Sequence, residues 1–401
     1  MAWRSQKSAI RKRLNGRWLR WKAWRALFGA CPPLARHYAF PVTGAAAIES
    51  ASDVVENSTV RLSGGFTPAQ MQSVVIPAMT NDKVRVRHAP GACTLTRQVA
   101  LIPDCSVLGH VDAVIRADGA MLYLTAGPTP NWNYAKPRRL KLRRFPDGLV
   151  TSLQDAQHYY HFLERLFGLL GYLDREHQAG AALTVLVPAD APAFRRAICA
   201  AVETAYPGVR FVELGADERA EVASYLWLYE LASNTEWLPV DAARGGRFAA
   251  MLRSHYGQPE PSGGELVFLS RGRTRTRRLI NEDALVAIAE RMGFRRFEAV
   301  AENHAEQVRR FSNADAIIAV HGAGLTNQLF CRPGTAVVEL FPANCVKSTY
   351  LWLANRMKLQ HHALLGSAGD YNQAFSIDPS LFEARLAEIM SRLPQNRSSA
   401  A

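Results

Sequence analysis

Three features that commonly reveal what a protein does are missing from this sequence. It has no D-x-D pair of carboxylates with which to hold a divalent metal ion. No apolar run reaches about 18 residues, so no membrane-spanning helix is predicted, and a secretory h-region is absent. The six cysteines lie far apart without a C-x-x-C pair, which argues against a zinc site or a disulfide framework. We therefore expect free, mostly buried thiols in a reducing compartment.

Acidic residues are missing from positions 1–48. This segment carries ten Lys and Arg residues. Because the net charge of the whole chain is +13, the remaining residues carry a net charge of only about +3. Over residues 3–28 the apolar side chains, three tryptophans among them, fall on one side of a helical wheel, although Arg17 and Arg25 interrupt that side. We predict a basic amphipathic helix over residues 1–30 that binds an anionic membrane surface. Docking on the protein's own surface or on a partner is the alternative.

The remaining composition is that of a globular protein with more than one domain. Apolar residues make up 48% of the 401 positions, and the length allows two or three domains. Turn clusters and changes in composition predict a linker over residues 31–80, a first domain over 81–235, a second domain over 236–375, and a terminal helix and tail over 376–401.

The first domain is predicted to be β-rich at its start and α/β afterwards. Alternating apolar runs recur between residues 83 and 126, where Asp118-Gly119 marks a hairpin, and they indicate antiparallel strands. Beyond them we predict a strand over 183–187, a helix over 191–204, a strand over 210–214 and a helical or mixed segment over 218–231.

The second domain alternates more regularly. Strands are predicted over residues 265–270, 297–300, 316–320, 336–340 and 359–364, with helices between them, and Asn281 is a natural N-cap for the first of these helices. This pattern predicts a doubly wound parallel sheet whose ligand crevice lies at the carboxyl ends of the strands.

The run HGAGLTNQLF, residues 321–330, follows the third of these strands. Gly322 and Gly324 allow the backbone to turn tightly and to approach a ligand. A short helix predicted over residues 325–330 directs unpaired N–H groups and the positive end of its dipole at that point, which suits a diphosphate. Glu339, near the end of the next strand, is placed to accept hydrogen bonds from ribose hydroxyls. An ordinary tight turn is the alternative interpretation.

Arginines cluster at two places. Five of them lie between residues 271 and 278, directly after a strand, and Arg271 is the best placed to hold a phosphate bidentately. The run KPRRLKLRR, residues 136–144, is either a site for an anionic polymer, lipid or nucleotide or, as we prefer, a solvated basic edge.

Two histidines mark the start of a helix predicted within residues 151–173. His158 and His161 share one face with Asp155 and Glu164. Neutral imidazole accepts a proton near pH 7, so either histidine suits a general base. Simple capping and packing of the helix start is the alternative.

Two runs together resemble the signature of glycosyltransferase family 61. They are FLSRGRTRTRRLINEDAL, residues 268–285, and HGAGLTNQLFCRPGTAVVELFP, which begins at His321. The resemblance is good over residues 265–365 and loose over 80–235. The positions that match the family's donor-binding pattern are Arg271, Arg277 or Arg278, His321, Gly322, Ala323, Gly324, Leu325, Asn327 and Glu339.

The resemblance implies a fold and a chemistry. The fold is α/β of the GT-B type, with two Rossmann-type domains facing a cleft, and here it has a β-rich N-terminal region and a basic N-terminal helix. The implied chemistry is inverting and metal-independent, without a cofactor, and uses a nucleotide sugar, UDP-linked by preference, as the donor. His161 matches the histidine of a family stretch shaped like NYYHFL, whereas His158 stands where that stretch often has Asn. We therefore expect His161 to be the base, with Glu164, Asp155 or His158 as substitutes.

The sequence predicts an enzyme that adds a sugar to a glycan or lipid-linked glycan during capsular, exo- or lipopolysaccharide biosynthesis. We expect it in the cytoplasm, at the inner face of the membrane. One alternative is a non-catalytic nucleotide- or glycan-binding scaffold at the membrane surface. A nucleic-acid binder using residues 1–30 and 136–144 is a further alternative, although no nucleic-acid partner is expected because no recognised module follows.

Overall fold

The structure is a computed structural model of the chain. It describes residues 44–46, 53–62, 86–87, 93–109, 113–115, 117, 120–123, 140–153, 158–176, 178, 180–232, 238, 240–272, 274, 276–347 and 349–393. The predicted helix over residues 1–30, the hairpin turn at Asp118-Gly119 and the candidate base Asp155 lie outside the described residues.

The elements follow one another in a mixed α/β order. The described strands are β1 (Gly44–Ala46), β2 (Asp53–Leu62), β3 (Val86–Arg87), β4 (Cys93–Leu108), β5 (Ala113–Ile115), β6 (Ala120–Tyr123), β7 (Lys141–Phe145), β8 (Leu149–Ser152), β9 (Leu183–Pro188), β10 (Val209–Leu214), β11 (Glu218–Ala232), β12 (Glu265–Ser270), β13 (Arg295–Glu298), β14 (Ala314–Val320), β15 (Ala336–Phe341), β16 (Val346–Lys347) and β17 (Gln360–Leu365). The described helices are α1 (Tyr159–Arg175), α2 (Ala193–Ala205), α3 (Ala242–His255), α4 (Glu282–Arg291), α5 (His304–Asn313), α6 (Thr349–Arg356) and α7 (Pro379–Ser391), with 3₁₀ helices at Ala301–Asn303 and Ala323–Phe330. None of these helices is both long and apolar enough to cross a membrane.

The described residues divide into two compact units. The first draws on described residues within 44–58, 97–191 and 206–230, and the second on described residues within 59–96, 192–205 and 231–393. Helix α2 was expected to belong to the first domain, but it lies in the second unit, where it packs on α3. Strands β1 and β2 lie within the segment that was predicted to be a linker.

The first unit is built on a mixed sheet whose strand order is β1-β6-β5-β4-β11-β8-β9-β10, with β2 and β7 attached at β4 and β11. Its antiparallel β4-β5 and β5-β6 pairs confirm the predicted β-rich start. The helical or mixed prediction for residues 218–231 was wrong, because β11 is one long strand that pairs in parallel with β7 and β8. Its ERAEVA start suggested a helix, but burial of Ala220, Val222 and Tyr225 against neighbouring strands outweighs that local preference.

The described part of the basic run 136–144 is paired with acids. On β7, Lys141 lies 2.8 Å from Asp217, Arg143 lies 3.3 Å from Glu218, and Arg144 lies 3.4 Å from Glu221. These cations therefore balance the acids of β11, which supports the interpretation as a solvated edge.

The second unit contains a five-stranded sheet in the order β13-β12-β14-β15-β17. All four pairings are parallel, so the predicted strands and the doubly wound sheet are confirmed. Strands β14 and β15 read as nearly continuous apolar runs because helices cover both faces of the sheet. Helices α4 and α7 pack on one face around Phe375 and Phe382, and α3, α5 and the second 3₁₀ helix lie on the other.

Two local signals had different outcomes. Gly293, two positions after the end of α4, has φ +92°, as a helix-ending glycine should. Asn281 does occupy the N-cap of α4, but its side chain makes no cap hydrogen bond. Its amide instead donates to Ile377 O at 2.7 Å and accepts from Ile377 N at 3.2 Å, which fastens the chain beyond β17 to the start of α4. Cys105, Cys199, Cys331 and Cys345 are free and buried, as predicted.

Candidate active site

The sheet of the second unit has a topological switch point between β12 and β14. These strands are neighbours, yet β12 connects outward to β13 while β14 connects the other way to β15. Ligands of doubly wound proteins bind at the carboxyl ends of the strands at such a point. Arg271 follows β12 directly, and His321 and Gly322 follow β14 directly, so these predicted residues do lie at the switch point.

The Arg271 guanidinium lies against the backbone of the glycine turn. Its Nη1 donates to the His321 carbonyl oxygen at 2.6 Å, and its Nε donates to Thr274 Oγ1 at 3.3 Å. A Cβ atom added to Gly322 would lie 1.9 Å from Nη1 of Arg271. Because Gly322 has an extended backbone with φ 166°, it is needed for space and not for an unusual conformation. The glycine therefore makes room for a cation.

Positive charge accumulates at this corner. Neither Arg271 nor Arg277 forms an ion pair with a described carboxylate. Burial, together with the charge of Arg277, lowers the pKa of Arg271 to about 10. Burial also lowers the pKa of His321, and the charges of Arg277 and Lys347 lower it further. Burial is the first cause of both shifts, and the neighbouring positive charges add to it although Glu282 and Glu339 act in the opposite direction. Positive charge that is not fully balanced favours an anionic ligand.

The arginine loop is held in place by residues 370–376, which we call the 370–376 strap. Arg277 has a left-handed backbone with φ +56°, and its N–H donates to Asn372 O at 2.8 Å. The amide of Phe375 donates to Arg278 O at 3.0 Å. A left-handed arginine costs about 1–2 kcal/mol, so the strap stabilises a strained residue beside the candidate site. The sequence left Arg277 and Arg278 as alternatives, and the structure places Arg277, not the exposed Arg278, in electrostatic reach of His321.

The glycine turn leads into a 3₁₀ helix, Ala323–Phe330, where a short helix was predicted. Its first internal hydrogen bond runs from Leu325 N to Gly322 O at 2.9 Å. The amides of residues 322–324 therefore have no acceptor among the described residues, and Ala323 is exposed. Three N–H groups next to two unpaired guanidinium groups can bind the oxygens of a diphosphate.

His321 is buried behind this turn and is fixed by Glu339. Its Nδ1 lies 2.5 Å from Glu339 Oε1, and its ring stacks on Phe341 and contacts Tyr350. The other oxygen of Glu339 lies 2.7 Å from His361 Nε2. Glu339 was expected to face a ribose, but it is completely buried and both of its oxygens are occupied. Its place in the structure is therefore behind His321 and not at the open edge.

Two further residues of the predicted donor set lie in the protein interior and not at the open edge of the sheet. Leu325 is fully buried, in the core beneath the turn. Asn327 is also fully buried, and its Nδ2 donates to Gln307 Oε1 at 2.7 Å, while Gln307 in turn donates to Val300 O at 2.6 Å. These contacts anchor the 3₁₀ helix to α5, so both residues position the turn instead of facing a ligand.

The candidate base residues lie in the first unit, at the start of α1. His158 is the N-cap residue and makes no cap hydrogen bond through its side chain. His161 is exposed, and its Nδ1 lies 3.2 Å from Glu164 Oε2. The two imidazole rings are 6.1 Å apart, edge to face. A carboxylate at this distance supports a protonated imidazole, which is what a base needs after it has taken a proton.

Sequence reasoning missed His361, Lys347 and Tyr350. His361 reaches the site only because β17 pairs with β15 in the register that sets Val337 opposite it. Lys347 and Tyr350 reach it through a two-residue strand and a short helix. No local motif predicted these residues, although the pair His361-His362 within a β-prone run was a usable signal for the first of them.

The fold is that of a doubly wound α/β protein, a class in which ligands bind at a switch point of this kind. Comparison with known proteins gives the family. The family model described as Glycosyltransferase 61 matches residues 121–338, more than half of the chain. The chain belongs to glycosyltransferase family 61, which confirms the expected resemblance and the enzyme class.

The curated relatives match a shorter stretch. The chain is 40% identical over 82 residues to Protein O-linked-mannose beta-1,4-N-acetylglucosaminyltransferase 2 of Bos taurus, which is 20% of this chain and 14% of the relative. Identity to the Homo sapiens protein of the same name is 39% over 92 residues, 22% of this chain and 15% of the relative. Beta-1,2-xylosyltransferase XYXT1 of Oryza sativa subsp. japonica is 39% identical over 67 residues, 16% of this chain and 14% of that protein. The chain thus spans about one seventh of the length of these relatives.

Proposed function

We propose that this protein transfers a sugar from a nucleotide-sugar donor to a glycan acceptor, with inversion at the anomeric carbon and without a divalent metal ion. The observation that carries the proposal is the contact between Arg271 and Gly322. A guanidinium without a carboxylate partner fills the space that any other residue at position 322 would need. A half-buried cation held against the glycine turn in this way is suited to bind an anionic ligand there.

The chemical demand of the reaction fits the residues at this turn. When the bond between the anomeric carbon and the diphosphate breaks, negative charge develops on the departing phosphate oxygens. Arg271, Arg277 and the amides of residues 322–324 are in place before the reaction, so they stabilise this charge without reorganisation. In this proposal the protein's own cations take the part that a metal ion held by D-x-D plays in other transferases.

We further propose that His161 is the base that removes the proton from the acceptor hydroxyl. Glu164 would stabilise the imidazolium that forms, and His158 or Asp155 would act as substitutes. Direct in-line attack of the activated hydroxyl then gives inversion. The names of the relatives specify β-1,4 and β-1,2 linkages, and formation of a β linkage from an α-linked nucleotide donor requires inversion, which supports the proposal.

The remaining details rest on the resemblance and on composition. We propose a GT-B arrangement, a UDP-linked hexosyl or pentosyl donor, and a capsular, exo- or lipopolysaccharide acceptor. Residues 3–28 would bring the enzyme to the inner face of the cytoplasmic membrane. Vesicle sedimentation of the full chain, with and without anionic lipid, tests the membrane contact separately from turnover.

A ligand screen tests the donor site. Thermal shifts of the full chain with UDP-, GDP-, CMP- and dTDP-sugars should show stabilisation by one nucleotide class, since a bound ligand stabilises by about 2.7 kcal/mol at a hundredfold excess over Kd. The shift should disappear in Arg271→Ala and persist in Arg278→Ala, whose side chain is exposed. A shift that survives Arg271→Ala contradicts the site.

Turnover tests the rest of the proposal. Donor hydrolysis or transfer should continue in EDTA, and His161→Ala should reduce transfer to the acceptor while donor binding is kept. Loss of activity in EDTA would contradict metal-independent chemistry. Binding of a nucleotide sugar without any turnover, together with tolerance of a His158→Ala and His161→Ala double change, would favour the non-catalytic scaffold.

A further inference from the structure

Behind the glycine turn, three buried side chains form a continuous hydrogen-bonded relay. Glu339 splits its two carboxylate oxygens between His321 Nδ1, at 2.5 Å, and His361 Nε2, at 2.7 Å. Glu339 is fully buried, and the side chains of the two histidines are 5% and 4% exposed. Water therefore does not replace either contact, and the relay cannot be a solvated surface pair.

The relay fixes the positions of the protons. Burial raises the pKa of Glu339, while the neighbouring His321 and Arg277 lower it. When the carboxylate is ionised it only accepts hydrogen bonds, so Nδ1 of His321 and Nε2 of His361 then each carry a proton. His361 Nδ1 is buried without a partner, which makes His361 a neutral and permanent donor. In neutral His321 the lone pair then lies on Nε2, an atom that has no hydrogen-bond partner among the described residues. The free ring therefore offers an acceptor, not a donor, to its surroundings.

The charged groups that face His321 come from four elements. Glu339 on β15 attracts a proton to the ring, while Arg277 in the arginine loop and Lys347 on β16 oppose it. Tyr350 on α6 contacts the ring at 5.2 Å between centroids, and burial raises the pKa of its hydroxyl, which keeps it neutral. Burial is the largest influence, and it lowers the pKa of His321, so the ring is neutral near pH 7 while the site holds no anion.

We infer that Glu339 and His361 are positioning residues that hold His321 ready to take up a solvent proton on Nε2 when a diphosphate binds at the glycine turn. This inference rests on the proposed donor site. The bound anion offsets the charges of Arg277 and Lys347, so the protonated ring becomes favourable. The imidazolium, balanced by Glu339 behind it, then donates a hydrogen bond to a phosphate oxygen. No bond other than that between Nε2 and the proton is made.

The dependence of binding on pH follows from this change. The pKa of His321 is higher in the complex than in the free protein, so binding takes up a proton at pH values between the two. The extra affinity is fully present below the free-state pKa and is lost as the pH rises through the bound-state pKa. Between the two values the Kd for a diphosphate should rise about tenfold per pH unit.

Isothermal titration of the full chain with UDP and with inorganic pyrophosphate tests the inference. Titrations in two buffers of different ionisation enthalpy give the number of protons taken up. The wild type should take up close to one proton, and Glu339→Gln and His361→Leu should take up much less. His361→Gln, which keeps a donor near the Nε2 position, should restore uptake, and His362→Gln is the matched control because it lies one position along the same strand and does not contact Glu339.

A merely structural role for Glu339 would lower stability without changing proton uptake, and thermal melts of the same variants separate the two effects. Nitrogen-15 spectra of the ligand-free protein should show His321 with its proton on Nδ1. Uptake that is unchanged in Glu339→Gln and His361→Leu, or a proton on Nε2 in the free protein, would overturn the inference. If the wild type binds neither UDP nor pyrophosphate, the proposed donor site fails, and the relay has no ligand to serve.

Discussion

Two arginine clusters at opposite edges of the same five-stranded sheet differ in one respect. At the amino edge, Arg309 and Arg310 are each ion-paired with both Glu265 and Glu306. At the carboxyl edge, Arg271 has no described carboxylate partner. The pKa of Arg309 is accordingly raised, first by the hydrogen bond to Glu306, whereas burial lowers that of Arg271 to about 10. The first cluster is neutralised by its own acids, and the second is not.

The difference shows that shape alone is a poor guide to the site. The amino edge has a cavity of about 370 Å³ lined by Glu265, Arg309 and Arg310. Two of the three arginines that line this cavity, Arg309 and Arg310, are already paired, so an anion there would have to displace a carboxylate from each of them, and the third, Arg295, is exposed to solvent. At the carboxyl edge the attraction for an anion comes from the unpaired Arg271 guanidinium and the open amides of residues 322–324. We therefore place the proposed ligand site at the carboxyl edge because its cations are not balanced by carboxylates.

The largest expected effect comes from replacing one arginine in each cluster with alanine and comparing the two variants. Arg271→Ala should lower kcat/KM about 10²–10³-fold, since it removes a preorganised donor to the leaving diphosphate. Arg309→Ala should leave turnover unchanged and cost at most about 1 kcal/mol of stability, because its ion pairs are partly exposed. Steady-state kinetics and chemical denaturation of both variants measure this. Equal losses of turnover would remove the distinction between the two edges.

Gly322→Ala should have the next largest effect. The new Cβ would lie 1.9 Å from Arg271 Nη1, so the guanidinium has to leave the His321 carbonyl. We expect donor affinity to fall about 10–100-fold, the equivalent of about 1.4–2.7 kcal/mol. Gly246→Ala is the matched control, because it lies within α3 with nothing within 4 Å of the added atom. Titration with UDP measures both, and unchanged affinity in Gly322→Ala would show that Arg271 acts from another position.

A new acid should convert the unpaired cluster into a paired one. Thr274 is exposed and accepts from Arg271 Nε at 3.3 Å, so Thr274→Glu places a carboxylate beside that guanidinium. Affinity for pyrophosphate should fall roughly tenfold at low salt and recover partly as salt screens the new charge. Thr274→Gln has the same size without the charge and should bind as the wild type does. A similar loss in both variants would point to a steric effect.

The smallest expected effect is that of Glu265→Gln at the amino edge. Removal of this acid leaves Arg309 and Arg310 with Glu306 alone, at a stability cost of at most about 1 kcal/mol. Affinity for UDP should not change, because the proposed donor site lies at the other edge. Titration measures affinity, and thermal melting measures stability. Tighter UDP binding in this variant would instead place a nucleotide site in the amino-edge cavity.

The sheet of the second unit was predictable because its strands bury both faces. An apolar run such as that of β14 predicts a buried strand from its own residues, without knowledge of its neighbours in the sheet. Strand β11 was not predictable, since its first residues favour a helix and only its neighbours in the sheet decide otherwise. The allocation of α2 to the second unit depends on contacts with α3, which no local pattern encodes.

The candidate site was predictable only in part, for a similar reason. Arg271, His321 and Gly322 come directly after strands, so the rule for carboxyl edges placed them together. Glu339 was assigned to the right strand but to the wrong surroundings, because its neighbour His361 comes from another strand. Strand register and burial decide whether a carboxylate faces solvent or lies inside, and neither is written in the spacing of residues.

The family match ends at residue 338, one position before Glu339. His361 and the 370–376 strap lie further along still, yet one completes the relay and the other holds Arg277 in its left-handed conformation. A shortened protein cut at the end of the family match would keep the glycine turn and lose the contacts that orient it. Anyone who trims or fuses this enzyme should therefore keep the last third of the second unit together with the candidate site.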